Sequence, residues 1–236
     1  MRQHLLRTLS VLLLFCPLMA LGHDYWFETA GEGDYLLYRG HRFSQHEGDK
    51  LVPYDPNIIT RAYCLRSGSE PPQDVVFTRT YPTLFTGPCQ AIVVNADTGF
   101  WSQTITGTKN QSKDNLSGVL RSWHALETIK RVELWNKQLL EPLSSELELV
   151  FTENPFALVT GDKLRLKATK MGQPVQGVTV AYNGKPRGIT DKNGRINLRI
   201  RQTGLQVISA SYERPLINNM KADKQIDSTL LIFELK

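Results

Sequence analysis

Long apolar runs are scarce in this chain of 236 residues. The first 21 residues contain one. No later stretch approaches the roughly 20 apolar residues that a helix needs to cross a bilayer. Runs of one charge are missing too. Lysine and arginine total 28 against 23 aspartates and glutamates, a formal net charge of +5, and the basic residues form no cluster along the chain. That balance argues against a nucleic-acid-binding surface. Catalytic signatures are absent: there is no Gly-x-Ser-x-Gly elbow, no His-Glu-x-x-His helix, no P-loop and no dinucleotide fingerprint. The chain is therefore read as non-enzymatic. It also lacks an internal repeat and a histidine-rich tract.

What is present begins at the N-terminus. Arg2 and Arg7 precede a mostly apolar stretch from Leu5 to Leu21, interrupted by Pro17. Ala20 and Gly22 supply small residues at −3 and −1, so the pattern predicts an export signal over residues 1–22, cleaved after Gly22. Cys16 is discarded with it, because the bulky Phe15 before it does not suit a lipoprotein. Cleavage would leave 214 residues carrying a formal charge of +3, with no transmembrane segment.

Two cysteines then remain, Cys64 and Cys89. In an exported protein an even pair points to a disulfide. Thiolate ligation of a metal is the alternative, but nothing places a third soft ligand beside either residue.

Turn clusters separate strand-like segments along most of the remaining chain. Strands are expected at Asp24–Glu28, Tyr35–Arg39, Ile58–Leu65, Asp74–Thr80 and Gln90–Ala96, the last ended by Asp97-Thr98-Gly99, with another at Phe100–Ile105. Leu116–Leu140 reads differently. Val119, Trp123, Leu126 and Ile129 fit a helical stripe, so one helix is expected there. Pro142 and Ser144-Ser145 suggest a joint. Beyond it come short, evenly spaced strands, including Lys163–Lys170, Arg195–Arg199 and Leu205–Tyr212, with an Asn183-Gly184 hairpin turn. The expected fold is mainly β in two domains. Residues 23–143 would form a β-rich domain with one helical segment, and 144–236 an immunoglobulin- or transthyretin-like β-sandwich.

The candidate chemistry lies in the histidines. His23, His41, His46 and His124 survive cleavage, and the first three fall within 24 residues. As the first mature residue, His23 would offer a metal its α-amine and its imidazole. An α-amine titrates near pH 8, so a metal displaces its proton readily. Imidazoles from His41 or His46 would add ligands, and Asp24, Glu28, Glu47 and Asp49 are candidate oxygen donors. Such a set suits nickel, cobalt, copper or zinc without choosing among them. The bland alternative is a core strand at Tyr25-Trp26-Phe27 followed by solvated loop histidines. His124 beside Trp123 reads as a packed or surface histidine. Trp26, Trp101, Trp123 and Trp135 keep a carbohydrate- or protein-binding adhesion module open. A copper-dependent oxidase sharing the N-terminal histidine is a third reading with no other support.

One resemblance spans nearly the whole mature chain. It rests on His23-Asp24-Tyr25-Trp26-Phe27-Glu28 behind an export signal, and on Gly40-His41-Arg42-Phe43. Further along, Asn154-Pro155, Gly161-Asp162, Gly172-Gln173-Pro174-Val175-Gln176-Gly177 and Thr190-Asp191-Lys192-Asn193-Gly194-Arg195 extend it. Together they resemble a bacterial periplasmic domain-of-unknown-function family (4198), often labelled the periplasmic component of nickel or cobalt uptake. The resemblance implies a periplasmic location, a C-terminal sandwich and a link to transition-metal transport, with an inner-membrane metal transporter as partner. By position it carries over His23 and His41, not His46.

Overall fold

The computed structural model describes residues 24–31, 33–40, 50–68 and 71–236. The chain is mainly β, and among the described residues no helix reaches seven residues. The described residues form sixteen strands. They are β1 (Asp24–Thr29), β2 (Tyr35–Gly40), β3 (Ile59–Leu65), β4 (Gln73–Asp74), β5 (Thr83–Phe85), β6 (Ala91–Thr104), β7 (Gly107–Lys109) and β8 (Val119–Val132). After these come β9 (Glu148–Phe151), β10 (Lys163–Lys170), β11 (Gln173–Pro174), β12 (Thr179–Tyr182), β13 (Lys185–Ile189), β14 (Arg195–Arg199), β15 (Gly204–Pro215) and β16 (Lys224–Leu235).

The largest sheet has nine strands in the order β13-β12-β15-β16-β8-β6-β3-β4, with β7 on β6. Its neighbours are antiparallel except β8 and β16, which run parallel through ten residue pairs from Trp123↔Lys224 to Val132↔Phe233. The connection at 143/144, where two domains were expected to meet, lies between β8 and β9. Strands from both sides of that point therefore share this sheet.

Two smaller sheets pack on the large one. β1, β2 and β5 form a three-stranded sheet, and β9, β14 and β11 flank β10 in a four-stranded one. They lie on opposite faces. Successive side chains of a strand alternate in direction, and on β6 Ala91 joins one core while Ile92 joins the other. The first core gathers Leu149, Phe151, Leu166, Leu198, Tyr182, Leu231 and Phe233 between the four-stranded sheet and β12, β15 and β16, in a sandwich-like packing. The second gathers Tyr25, Phe27, Leu37, Phe85, Ile92, Val94 and Ile129 beneath the three-stranded sheet.

The helix expected over Leu116–Leu140 is not formed. Most of that segment is β8, a central strand of fourteen residues. Only short 3-10 turns flank it, at Lys113–Asn115 and Lys137–Leu140. Its spacing misleads because one buried face carries polar groups among the apolar ones. Ser122, Thr128 and Lys130 are buried, so alternation is hidden and the remaining apolar positions mimic a helical stripe. Lys130 is fully buried and donates to Glu148 Oε1 at 2.6 Å and to the Leu149 carbonyl at 2.5 Å. Glu148 Oε2 accepts the backbone N–H groups of Leu143 and Ser144 at 2.9 and 2.7 Å. Asp97-Thr98-Gly99, expected to end a strand, is instead a register shift inside β6. The span Asp74–Thr80 gives only the two-residue β4 and a bridge from Phe77 to Phe85. Asn183-Gly184 does make the tight turn between β12 and β13, with φ of 48° and 71°.

Candidate functional site

The candidate site begins at the hairpin of β1 and β2. Their register pairs Asp24 with Gly40, Tyr25 with Arg39, Trp26 with Tyr38 and Phe27 with Leu37. Tyr25 and Phe27 turn into the core beneath. On the other face Trp26 stacks on Tyr38, with ring centroids 5.8 Å apart. Trp26 Nε1 donates to Glu28 Oε1 at 3.1 Å.

Gly40 marks where the chain leaves the hairpin and also where it returns. It bridges Leu51, and Val52 N donates to the Arg39 carbonyl at 2.8 Å. A Cβ on Gly40 would stand 2.0 Å from the Lys50 carbonyl oxygen, so only glycine allows this approach. Asp24, Gly40 and Leu51 thus meet at one end of the sheet.

The three histidines of the expected metal site, His23, His41 and His46, lie outside the described residues. Their points of attachment do not. His23 precedes Asp24, His41 follows Gly40, and the segment carrying His41 and His46 rejoins the sheet at Lys50 and Leu51. Among the described residues no group of three or more His, Cys, Asp or Glu side chains gathers in a way that would hold a metal.

Beneath this end lies a group of polar side chains that the sequence did not announce. Glu127, half-buried on β8, stands opposite Ala96 of β6 and Ser228 of β16. Withdrawal from water pushes its carboxyl up to about 7, against the opposing pull of Arg39. Arg39 lies over the Tyr25 ring, its Cζ 5.9 Å from the centroid. The Tyr25 hydroxyl is buried and has no hydrogen-bond partner among the described residues, and its pKa rises through burial first and the Glu127 charge second. Tyr54 packs edge-on to Tyr25, and burial lifts its hydroxyl to about 12. That hydroxyl lies 3.0 Å from the Leu37 carbonyl and 2.9 Å from Thr83 Oγ1. Glu127 carries no local signal in the sequence. It sat inside the segment read as a helix, where a glutamate looks solvated.

The other candidates are placed plainly. Cys64 and Cys89 form the expected disulfide, with S–S of 1.99 Å. His124 sits on a strand, stacked on Phe100 and 2.8 Å from Asp97 Oδ1. The four tryptophans do not converge. Trp101 and Trp123 are register partners on β6 and β8, Trp26 belongs to the hairpin, and Trp135 packs on the first core. A groove of about 390 Å³ separates β1 from β15 and β16, lined by Trp26, Glu28, Arg131, Leu205, Val207 and Ile232. Arg131 is among its lining residues and donates to the Phe27 carbonyl at 3.1 Å.

Residues 36–214 match the family described as Domain of unknown function (DUF4198). The chain belongs to this family. The matched region runs from β2 into β15 and so includes Arg39, Gly40, Glu127 and the disulfide, while β1 and His23 precede it. No curated protein matches the chain.

Proposed function

We propose that this DUF4198 protein is a periplasmic, non-enzymatic metal-binding protein that assists nickel, cobalt or copper uptake or delivery. The metal is held by the α-amine of His23 after cleavage at Gly22, with imidazoles from His23, His41 and His46. An inner-membrane metal transporter is the partner that receives it. One observation carries the reading: Asp24, Gly40 and Leu51 are joined in register, so the two segments bearing the three histidines start from one place. Family membership supports it only through the association of such proteins with metal uptake. Residues 23–143 supply the site in this proposal, and 144–236 supply the sandwich-like support.

Calorimetric titration tests it. Ni²⁺, Co²⁺ and Cu²⁺ are titrated separately into chain beginning at His23 and into chain with one extra residue before it. Blocking the amine removes a chelate ring, so the extended chain is expected to bind at least tenfold more weakly. Equal affinities would overturn the amine chelate.

The groove beside β1 favours a second reading, a binding module for carbohydrate or an extended peptide. It combines apolar side chains with Glu28 and Arg131, the usual composition of a ligand cleft. Glycan-array binding that survives a chelator and His23→Ala would replace the metal reading.

A further inference from the structure

The far end of the large sheet presents an unusual surface. The turns after β6 and before β8 lie beside the turn between β15 and β16. Lys113 N donates to the Lys221 carbonyl at 3.0 Å, and Lys113 Nζ pairs with Asp223 Oδ1 at 2.6 Å. Asp223 Oδ2 accepts Ser122 N and Ser122 Oγ at 2.9 and 2.7 Å. These contacts fix the two turns to each other, so what they display is held in place.

Four neighbouring strand ends each display one large apolar side chain. Ile105 follows β6, Leu120 lies near the start of β8, Ile217 follows β15 and Met220 precedes β16. They are 85, 66, 83 and 76% exposed. Adjacent strands are about 4.8 Å apart, so four in a row span about 15 Å. Single exposed apolar residues are ordinary, but one on each of four adjacent strand ends forms a row.

The same end is basic. Residues 104–121 and 213–224 hold Lys109, Lys113, Arg121, Arg214, Lys221 and Lys224 against Asp114, Glu213 and Asp223. That is a net +3. The whole chain carries +5, of which Arg2 and Arg7 supply two, so everything else sums to zero. The basic residues are dispersed along the sequence and converge only through the strand pairing.

We propose that this end of the sheet is a docking surface for an anionic phospholipid bilayer. Ile105, Leu120, Ile217 and Met220 enter the headgroup boundary, and the surrounding lysines and arginines meet lipid phosphates. Apolar insertion and basic attraction act together in such peripheral contacts, and neither suffices at this size. A protein groove would meet the apolar row equally well, but the exposed cations left over from the Lys113–Asp223, Lys224–Glu213 and Arg214–Asp227 pairs, namely Lys109, Arg121 and Lys221, favour a diffuse anionic surface over a localised partner. The inference uses none of the residues of the metal reading and does not depend on it.

Vesicle co-sedimentation of chain beginning at His23 tests it, since residues 1–22 carry their own apolar run. The chain is expected to bind phosphatidylglycerol-rich vesicles at least tenfold more tightly than phosphatidylcholine vesicles, and to be released by high salt. Ile217→Ser with Met220→Ser should weaken binding at least tenfold while leaving the thermal midpoint unchanged, because both side chains are already exposed. An independent readout is Ile217→Trp, whose fluorescence should shift to the blue on mixing with anionic vesicles. Failure to bind anionic vesicles, equal binding of the double serine variant, or a dimer in the absence of lipid that the double variant dissolves would each overturn the proposal.

Discussion

Lys130 and Glu148 show how a single pair can hold two layers together. Both side chains are fully withdrawn from water, and the pair links β8 of the large sheet to β9 of the four-stranded one. Removing one partner leaves the other charge buried and unpaired, which costs about 3–5 kcal/mol. Lys130→Met is therefore expected to lower the urea unfolding free energy by that amount. Adding Glu148→Leu should not restore it fully, because the N–H groups of Leu143 and Ser144 would lose their acceptor. Glu127 works in the opposite sense. Its folded-state carboxyl is raised to about 7 from an ordinary 4.5, so the folded chain holds a proton that the unfolded chain releases between those values. The stabilisation is present at low pH and is lost as pH rises through about 7. Arg39 and Tyr25 are the charged and titratable groups that face it, and Arg39 reduces the effect. Glu127→Gln should raise stability at pH 8 by at most about 3 kcal/mol and flatten the slope of thermal midpoint against pH between 5 and 8. An unchanged slope would show that Glu127 titrates normally.

At the scale of elements the disulfide gives the clearest expectation. Cys64 and Cys89 are 25 positions apart, and the bond ties the end of β3 to the start of β6. Those strands are already paired through Cys64↔Ile92 and Leu65↔Ala91. The bond should therefore act mainly on the unfolded chain. Cys64→Ala with Cys89→Ala is expected to keep the fold, seen as an unchanged far-ultraviolet spectrum, while lowering unfolding free energy by about 3 kcal/mol. This bond was legible from cysteine number and the expectation of export. So were β1, β2, β3, β10 and β14, whose alternation or turn boundaries stand in the local sequence. β8 was not legible. Its neighbours on both sides, β6 and β16, come from segments up to about a hundred residues away, and buried partners such as Glu148 make its polar residues tolerable. The site divides the same way. His23, His41 and His46 could be chosen as ligands by residue type. Only the strand register reveals that Asp24 lies opposite Gly40, and only the sheet brings Glu127 near Arg39 and Tyr25.

For the whole molecule the decisive contact is the parallel pairing of β8 with β16. A chain that leaves β8, builds the four-stranded sheet and returns as β16 beside it has closed one sheet around its own midpoint. Dividing the protein at 143/144 would leave ten residue positions of β8 without their partner strand. It would uncover Ala91 and Val132, which belong to the core formed largely by the C-terminal half. It would also place Lys130 on one fragment and Glu148 on the other. An open edge that long invites misassociation more than independent folding. Fragments 23–143 and 144–236, expressed separately, are accordingly expected to lack sharp unfolding transitions. Mixed, they should recover the near-ultraviolet spectrum of the intact chain. The intact chain should unfold in one step, with calorimetric and van't Hoff enthalpies equal. Two resolved transitions, or a cooperatively folded fragment of either half, would show instead that each layer stands on its own core and that the shared sheet is an interface between them.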